Sequence, residues 1–418
     1  MNSPIASYLK KINYQLPVSI TLTNPGDLSQ VLEIADKIAT MTDSMAEMEG
    51  LENQFAEQKN DFSLMIHLGI KLAKSKLAVR QTTDKVHLSV IFAIYKEHNR
   101  IKTPEEHPHG EDFLMKKIAQ LEWLFEGKKN FSWDMFVVDD GCPEHSGEIA
   151  QQILKKHYNG NNVEVHFLQA AIDKMLPISL PLHNTNESRK GGSIEYGMWL
   201  AVQKNKPGHI VFYTDADLSI HLGQVGTMID SIRKENLDAA IGSRREDTSV
   251  FIKKGVRNIR GKLFIYLWKR LIPQLNYIVD TQCGFKSFTA QTVKKIILGT
   301  IEKQFAFDIE LLLKTETFRH LSIGKVAIAG ADSVEASTTT DLEPYLDMLK
   351  SIVGMYRKYI SEDDEADQYA TFINALDKEK WDRLVDNIPE AIAEGDPNDF
   401  DKFNAVKVSD LEAAIGGE

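Results

Sequence analysis

Between about residues 86 and 330, short apolar runs alternate with amphipathic stretches. The runs 86–94, 133–138, 163–168, 210–213, 239–241 and 325–329 are rich in Val, Ile, Phe and Ala and read as strands. Between them, 112–125, 144–157, 193–203 and 223–234 place apolar residues at helical spacing and are long enough to cross over a sheet. The alternation predicts an α/β fold with a mostly parallel sheet between helices. Right-handed crossovers gather the strand C-termini along one edge, where ligands bind in open sheets of this kind.

The flanks follow a different period. Helical spacing of Leu, Ile, Met and Phe runs through 28–41 and 45–77, with Pro25 and Gly26 marking a turn ahead of the first stretch. Their apolar positions suit packing on the α/β core, pairing with a second copy into an oligomer, or binding a partner. Further helices are predicted at 342–359, 369–376 and 381–393, and 395–401 is a polar break. The last stretch, 402–418, reads as a short docking element or a frayed end. The expected organisation is a helical region over 1–85, an α/β domain over 86–340 and a helical, acidic region over 341–418.

Composition narrows the class. The chain has 418 residues, long for one ordinary domain, and its 43% hydrophobic and 26% charged content is that of a soluble globular protein. No apolar run approaches the ~20 residues that span a bilayer, and residues 1–16 lack the pattern of a secretory signal, so a cytoplasmic location is expected. Cys142 and Cys283 are the only cysteines, which argues against a disulfide framework and against a thiolate metal cluster and leaves one pair or two reduced thiols. Of the net charge of −11, the tail from residue 361 onward carries 17 acidic and 5 basic residues. The body is near neutral and shows no electrostatic footprint of nucleic-acid binding.

Polar motifs interrupt the pattern where strands end. The run His209-Ile210-Val211-Phe212-Tyr213 leads into Thr214-Asp215-Ala216-Asp217. Two carboxylates leaving an apolar strand repel each other unless a cation collects their charge, and oxygen-loving Mg²⁺ or Mn²⁺ does so where a diphosphate also binds. A plain solvated turn is the competing reading of so short a motif. The strand 86–94 ends in Tyr95-Lys96-Glu97-His98-Asn99-Arg100, and 133–138 ends in Asp139-Asp140-Gly141. Ionised carboxylates are pure acceptors, suited to the base or ribose of a nucleotide.

Arg189-Lys190-Gly191-Gly192-Ser193 opens a helix, where free backbone N–H groups and cationic side chains favour phosphate. Neither the Walker spacing nor Gly-x-Gly-x-x-Gly is present, which disfavours standard ATPase and dehydrogenase readings. Arg244 and Arg245 form a basic turn after 239–241, and 280–286 is a compact polar block. The basic, aromatic helix 262–271 suits core packing with a solvated face, or an acceptor or peripheral membrane contact. Asp308, in the first turn of an apolar helix, reads as a helix-dipole carboxylate or as a general base.

Taken in order, VVDDG at 137–141, KGG at 190–192, TDADLS at 214–219, IGSR at 241–244, DTQCGFKSF at 280–288 and FAFDIELL at 305–312 resemble the inverting glycosyltransferases of family 2. Within these the chain is most similar to the branch of dolichyl-phosphate glucosyltransferases and polyprenyl-phosphate sugar synthases. The resemblance covers roughly 86–340. It implies the GT-A fold, a Rossmann-like and mostly parallel sheet, with helical extensions at both ends of this chain.

The resemblance also implies roles. Asp217 would bind the Mn²⁺ or Mg²⁺ that bridges the donor diphosphate, Asp215 would lie by that ion, the ribose and the sugar, and Lys190 would neutralise phosphate. Asp308 would lie near the acceptor, so Asp308, Asp217 and Lys190 are the catalytic candidates. The expected donor site contains Ala93, Tyr95, Glu97, Asp139, Asp140, Lys190, Gly191, Asp215, Ala216, Arg244, Gln282 and Lys286. Cys142 stands where a serine usually follows the DDG turn, and Glu195 where a basic residue is common.

The expected reaction moves a hexose, glucose first, from a nucleoside diphosphate sugar, UDP-glucose first, to a hydroxyl or a polyprenyl phosphate. Two alternatives remain. A sugar-1-phosphate nucleotidyltransferase would want a glycine-rich loop after the first strand, and 93–100 contains no glycine. A non-catalytic scaffold built on a transferase fold would have no need of the Asp215 and Asp217 pair.

Overall fold

A computed structural model describes residues 3–17, 20–252, 258–332, 344–400 and 406–416. At its centre is a seven-stranded sheet formed by β1 (Val86–Ile94), β2 (Phe131–Asp139), β3 (Val163–Phe167), β4 (His209–Thr214), β5 (Ala239–Ser243), β7 (Phe285–Thr289) and β8 (Ile323–Ala327). The spatial order is β3-β2-β1-β4-β7-β5-β8. All neighbours run parallel except β7, which is antiparallel to both β4 and β5. A parallel two-stranded ribbon, β6 (Val250–Ile252) with β9 (Ala329–Ala331), stands beside the sheet. This mixed, mostly parallel sheet between helices, extended by helices at both ends, is the architecture the motifs imply.

The central strands are buried on both faces, so their few polar residues need partners. In β1, His87 meets Ser132 at 2.8 Å and Asp134 at 3.1 Å, and Ser89 meets His209 at 2.8 Å. These contacts lie at the N-terminal ends of the strands, away from the motif-bearing edge. One face of the sheet is covered by α5 (Phe113–Phe125), α6 (Ser146–His157) and α9 (Val225–Lys234). The other is covered by α7 (Leu168–Asp173), α8 (Gly191–Gln203), α10 (Asn258–Leu271), α11 (Ala290–Ile296) and α12 (Phe307–Phe318).

The antiparallel strand β7 escapes the sequence reading, which takes 280–286 as a polar block. Its Lys286 is fully buried, because a carboxylate from another element neutralises it. The predicted helix over 45–77 is two helices, α3 (Met45–Ala56) and α4 (Leu64–Gln81), preceded by α1 (Pro4–Asn13) and α2 (Pro25–Met41). The break falls before Ser63, whose hydroxyl accepts from Met65 N at 3.3 Å and so starts α4. Packed against α2, α3 and α9, α4 is buried almost all round. Its Lys71 is paired with the buried Glu52.

At the other end come α13 (Tyr345–Tyr359), α14 (Asp364–Ala375), α15 (Lys378–Asp386), α16 (Glu390–Glu394) and α17 (Val408–Ile415). Pro389 caps α16 and splits the stretch predicted as one helix over 381–393. Positions 342–343, 402–405 and 417–418 of the predicted terminal elements lie outside the described residues.

These helices cover α10. Phe264, Tyr266 and Trp268 are 2%, 0% and 0% exposed. Lys262 donates to the Ala393 carbonyl at 2.8 Å, and Tyr266 to that of Val406 at 2.7 Å. Core packing is therefore the reading of α10 that holds, and its aromatic face is not available to a membrane. No helix among the described residues is long and apolar enough to cross a bilayer.

Candidate active site

Strand β4 is buried throughout and delivers Asp215 and Asp217 at its C-terminal end. The turn is closed by Ser219, whose backbone N–H and hydroxyl donate to the Asp217 carboxylate at 3.1 and 2.7 Å. Lys117 reaches in from α5 and donates to the Asp217 carbonyl at 2.7 Å. Asp215 is ion-paired with Lys190. Burial pushes the Asp215 carboxyl up, but the Lys190 charge outweighs it and holds the group below its usual range. Asp217 is pushed up by burial and by the neighbouring Asp215 charge.

Asp217 thus has no ion pair of its own among the described residues, and carboxylate oxygens suit Mg²⁺ or Mn²⁺. Among the described residues no three His, Cys, Asp or Glu side chains gather into a ready-made cage. A cation held by Asp217 would therefore need further oxygens from a bound diphosphate or water. Gly284 presses against this turn: a Cβ there would lie 2.3 Å from a carboxylate oxygen of Asp215.

Asp140 builds the Lys190 turn. Its carboxylate accepts from Ser188 Oγ at 2.7 Å, Ser193 Oγ at 2.6 Å and Lys190 N at 2.9 Å. Lys190 takes a positive φ of 76° as it enters α8. Gly191 is required by a close approach, since a Cβ would lie 2.6 Å from the Gln304 carbonyl oxygen. The Lys303 carbonyl accepts from Arg189 N at 3.1 Å and Gly192 N at 3.0 Å, so residues 303–304 seat the turn from below. Glu195, the acid found where a base is common, is fully buried and paired with Lys303, and it accepts from Thr300 at 2.9 Å. The basic partner is present but comes from the 300–304 segment instead of α8.

On the β1–β2 side, Asp139 accepts from Gly141 N and Cys142 N at 2.9 Å and from Gly147 N at 2.8 Å. It folds the loop into α6 and keeps a free lone pair on Oδ2. Cys142, in place of a serine, accepts from Lys96 N at 3.1 Å and tethers the neighbouring loop. Ala93 is half-buried and Tyr95 is 42% exposed, both at the open edge. Glu97 is buried and salt-bridged to Arg100 at 3.1 Å, and Arg100 also holds Glu111 at 3.2 Å. Burial pushes Glu97 up to about 7, with the Asp217 charge adding to the effect.

Across the site, Asp308 opens α12 with its side chain 4% exposed, salt-bridged to Lys286 at 2.5 Å and hydrogen-bonded by the Tyr213 hydroxyl. Both donors use Oδ1. Burial and the Asp308 charge push the Tyr213 phenol well above its usual range, so it stays a donor. Arg244 is locked by Asp280, which accepts from its backbone N and Nε at 2.8 Å and from Nη2 at 2.6 Å. Burial opposes ionisation of Asp280, but the Arg244 charge and its hydrogen bonds hold the carboxyl at about 2. Ala216 is buried behind the turn, and the half-buried Gln282 has an amide nitrogen without a partner among the described residues.

Four motifs far apart in sequence therefore meet. Lys190 contacts Asp215, Gly284 abuts Asp215, and Lys286 and Tyr213 contact Asp308, while the Lys190 charge is felt by Asp308 and Asp217 as well. Lys117, Tyr213, Asp280 and Ser219 are absent from the sequence-derived site. Lys117 looks like half of a solvated Lys116-Lys117 pair, and only its complete burial in the fold reveals it. Asp280 and Ser219 lie inside recognised motifs, and Tyr213 is indistinguishable from core aromatics.

No model of a known protein family matches the chain. Its curated relatives are glycosyltransferases, in agreement with the resemblance carried by the motifs. The chain is 26% identical over 288 residues to the dolichyl-phosphate β-glucosyltransferase of Drosophila melanogaster, covering 67% of this chain and 77% of that one. It is 25% identical over 286 residues to the enzyme of the same name from Dictyostelium discoideum, covering 66% and 76%. Among solved structures it is similar to glucosyl-3-phosphoglycerate synthase of Mycobacterium tuberculosis, with a TM-score of 0.45 and 14% identity over 70% of this chain and 86% of that one.

Proposed function

We propose that this chain is a metal-dependent hexosyltransferase that transfers glucose from UDP-glucose to an acceptor, with inversion at the anomeric carbon. Residues 86–340 form the catalytic unit in this reading, between helical regions 1–85 and 341–418. The observation that carries it is the meeting of Asp215, Asp217, Lys190, Lys286 and Asp308 at the C-terminal end of one buried strand. The names of the relatives favour glucose, since both dolichyl-phosphate relatives are glucosyltransferases.

Asp217, with Asp215 beside it, would hold Mn²⁺ or Mg²⁺, whose charge stabilises the leaving diphosphate. Lys190 and Arg244 add fixed positive charge there, preorganised by Asp140 and Asp280. The base and ribose fit the edge made by Ala93, Tyr95, Glu97 and Asp139. As the bond from acceptor oxygen to anomeric carbon forms, the bond from that carbon to the diphosphate oxygen breaks, and the electron pair leaves with UDP. The proton of an acceptor hydroxyl passes to Asp308, whose Oδ2 is left open by the two donors on Oδ1. An anionic phosphate acceptor would need no such transfer.

Calorimetric titration with UDP-glucose tests the reading. Wild-type protein is expected to bind only with Mn²⁺ or Mg²⁺ present, and Asp217→Ala is expected to lose that binding with an unchanged circular dichroism spectrum. Metal-independent binding, or wild-type affinity in the variant, would overturn it.

A further inference from the structure

The edge of the sheet opposite the Asp215–Asp217 turn carries a cavity of about 480 Å³, within the range of small-molecule sites. It is enclosed by the 205–208 turn ahead of β4, the C-terminal end of α9 and the junction of β7 with α11. Strand β4 begins at this cavity with His209 and ends beside Asp215. At about 3.3 Å per residue the strand sets His209 and Asp215 about 20 Å apart. The cavity is therefore separate from the candidate donor site.

Lys206, Arg233 and Lys294 line this space, and no aspartate or glutamate among the described residues does. Ile210 and Ile232 line it too but are 3% and 5% exposed, so the side chains a ligand can reach are mainly the polar ones. Lys206 is exposed and makes no hydrogen bond or ion pair among the described residues. Lys294 donates to the side chain of Asn205, a neutral partner that leaves its charge uncompensated. Arg233 gives Nη2 to Asp84, which lies outside the lining, while its Nε and Nη1 make no hydrogen bond among the described residues. The turn bearing Lys206 is pinned at both ends, by Lys294 on Asn205 and by His87 N donating to the Gly208 carbonyl at 3.3 Å. A cleft lined by charge of one sign concentrates the opposite ion.

A second observation comes from His209, which forms part of the wall. The residue is 7% exposed, its Nε2 meets Ser89 Oγ at 2.8 Å, and its Nδ1 is buried without a partner among the described residues. Burial, helped by the His87 and Lys294 charges, lowers the ring to about 4, so at pH 7 it is neutral, with one donor and one acceptor nitrogen. Buried polar atoms are seldom left unmatched. A ligand seated against His209 offers this one a match.

From this we infer a second ligand site, for a small molecule carrying two or more phosphate charges, at the edge of the sheet away from the reaction centre. Lys206, Arg233 and Lys294 hold its phosphates, and His209 adds a neutral polar contact. The inference goes beyond the transferase reading and does not depend on it.

The test titrates the metal-free full chain with pyrophosphate in a calorimeter. Pyrophosphate is expected to bind saturably, and inorganic phosphate, with less charge, about tenfold or more weakly. Lys206→Glu and Lys294→Glu are each expected to weaken pyrophosphate about tenfold or more with an unchanged circular dichroism spectrum. Lys190→Ala, at the other edge, should leave this binding as it is. No saturable binding of pyrophosphate, binding that Lys190→Ala removes, or binding that both charge reversals leave within about twofold of wild type would overturn the inference. Inorganic phosphate bound as tightly as pyrophosphate would overturn it as well.

Discussion

Replacing Asp280 by Asn probes how much the site depends on one buried ion pair. The Asp280 side chain is 4% exposed and gives Arg244 three hydrogen bonds of 2.6 to 2.8 Å. Its folded carboxyl titrates at about 2, against roughly 3.9 in an unfolded chain. Two units of difference correspond to about 2–3 kcal/mol of stability. Breaking one side of a buried pair costs about 3–5 kcal/mol, and the 24% exposure of the Arg244 side chain lets water recover part of that. The expected loss at pH 7 is thus about 2–4 kcal/mol, read from urea unfolding at unchanged m-value.

The pH dependence has a definite sign. Because the folded value is depressed, the contribution is complete above about pH 4 and disappears as pH falls toward 2, with about half left at pH 3. The gap between wild type and Asp280→Asn should narrow accordingly. A gap below about 1 kcal/mol at pH 7, or one as large at pH 3 as at pH 7, would show that the Asp280–Arg244 pair does not carry this stability.

Three further substitutions address other parts of the molecule. Asp308→Asn should lower kcat by roughly 10²- to 10⁴-fold with a hydroxyl acceptor while the donor KM holds; full activity would move the base elsewhere or make the acceptor a phosphate. Gly284→Ala drives a methyl into the Asp215 carboxylate and should weaken Mn²⁺-dependent UDP binding about tenfold or more without unfolding the chain; unchanged affinity would show that the turn yields. Trp268→Ala should cost about 3–5 kcal/mol by thermal or urea unfolding, and tolerance of it would contradict the burial of α10 beneath the C-terminal helices.

Much of the architecture was legible because periodicity and burial coincide. The strand read at 86–94 is β1 as observed, since nearly every one of its residues is buried and no turn residue interrupts it. The strand carrying Lys286 was not legible, because a buried lysine is only tolerable beside Asp308, 22 positions away. The motif residues were found as strings, but their mutual contacts were not. Nothing local says that Asp140 serves the Lys190 turn or that Lys303 answers Glu195. Those pairings are set by the crossover of α8 and by the return of the 300–304 segment, which are properties of the whole fold.

The first turn of α12 joins two regions that the sequence keeps apart. Asp308 turns toward the chemistry, while two residues on, Glu310 accepts from Ile301 N at 2.8 Å, from Glu302 N at 2.7 Å and from the Tyr359 hydroxyl at the end of α13. A single helical turn therefore works as a crossbar between the reacting centre and the acidic tail. The same bar steadies residues 301–304, which seat the Lys190 turn. A change in α13 that moves Tyr359 therefore shifts Glu310 and the 301–304 segment, and with them both Asp308 and the Lys190 turn.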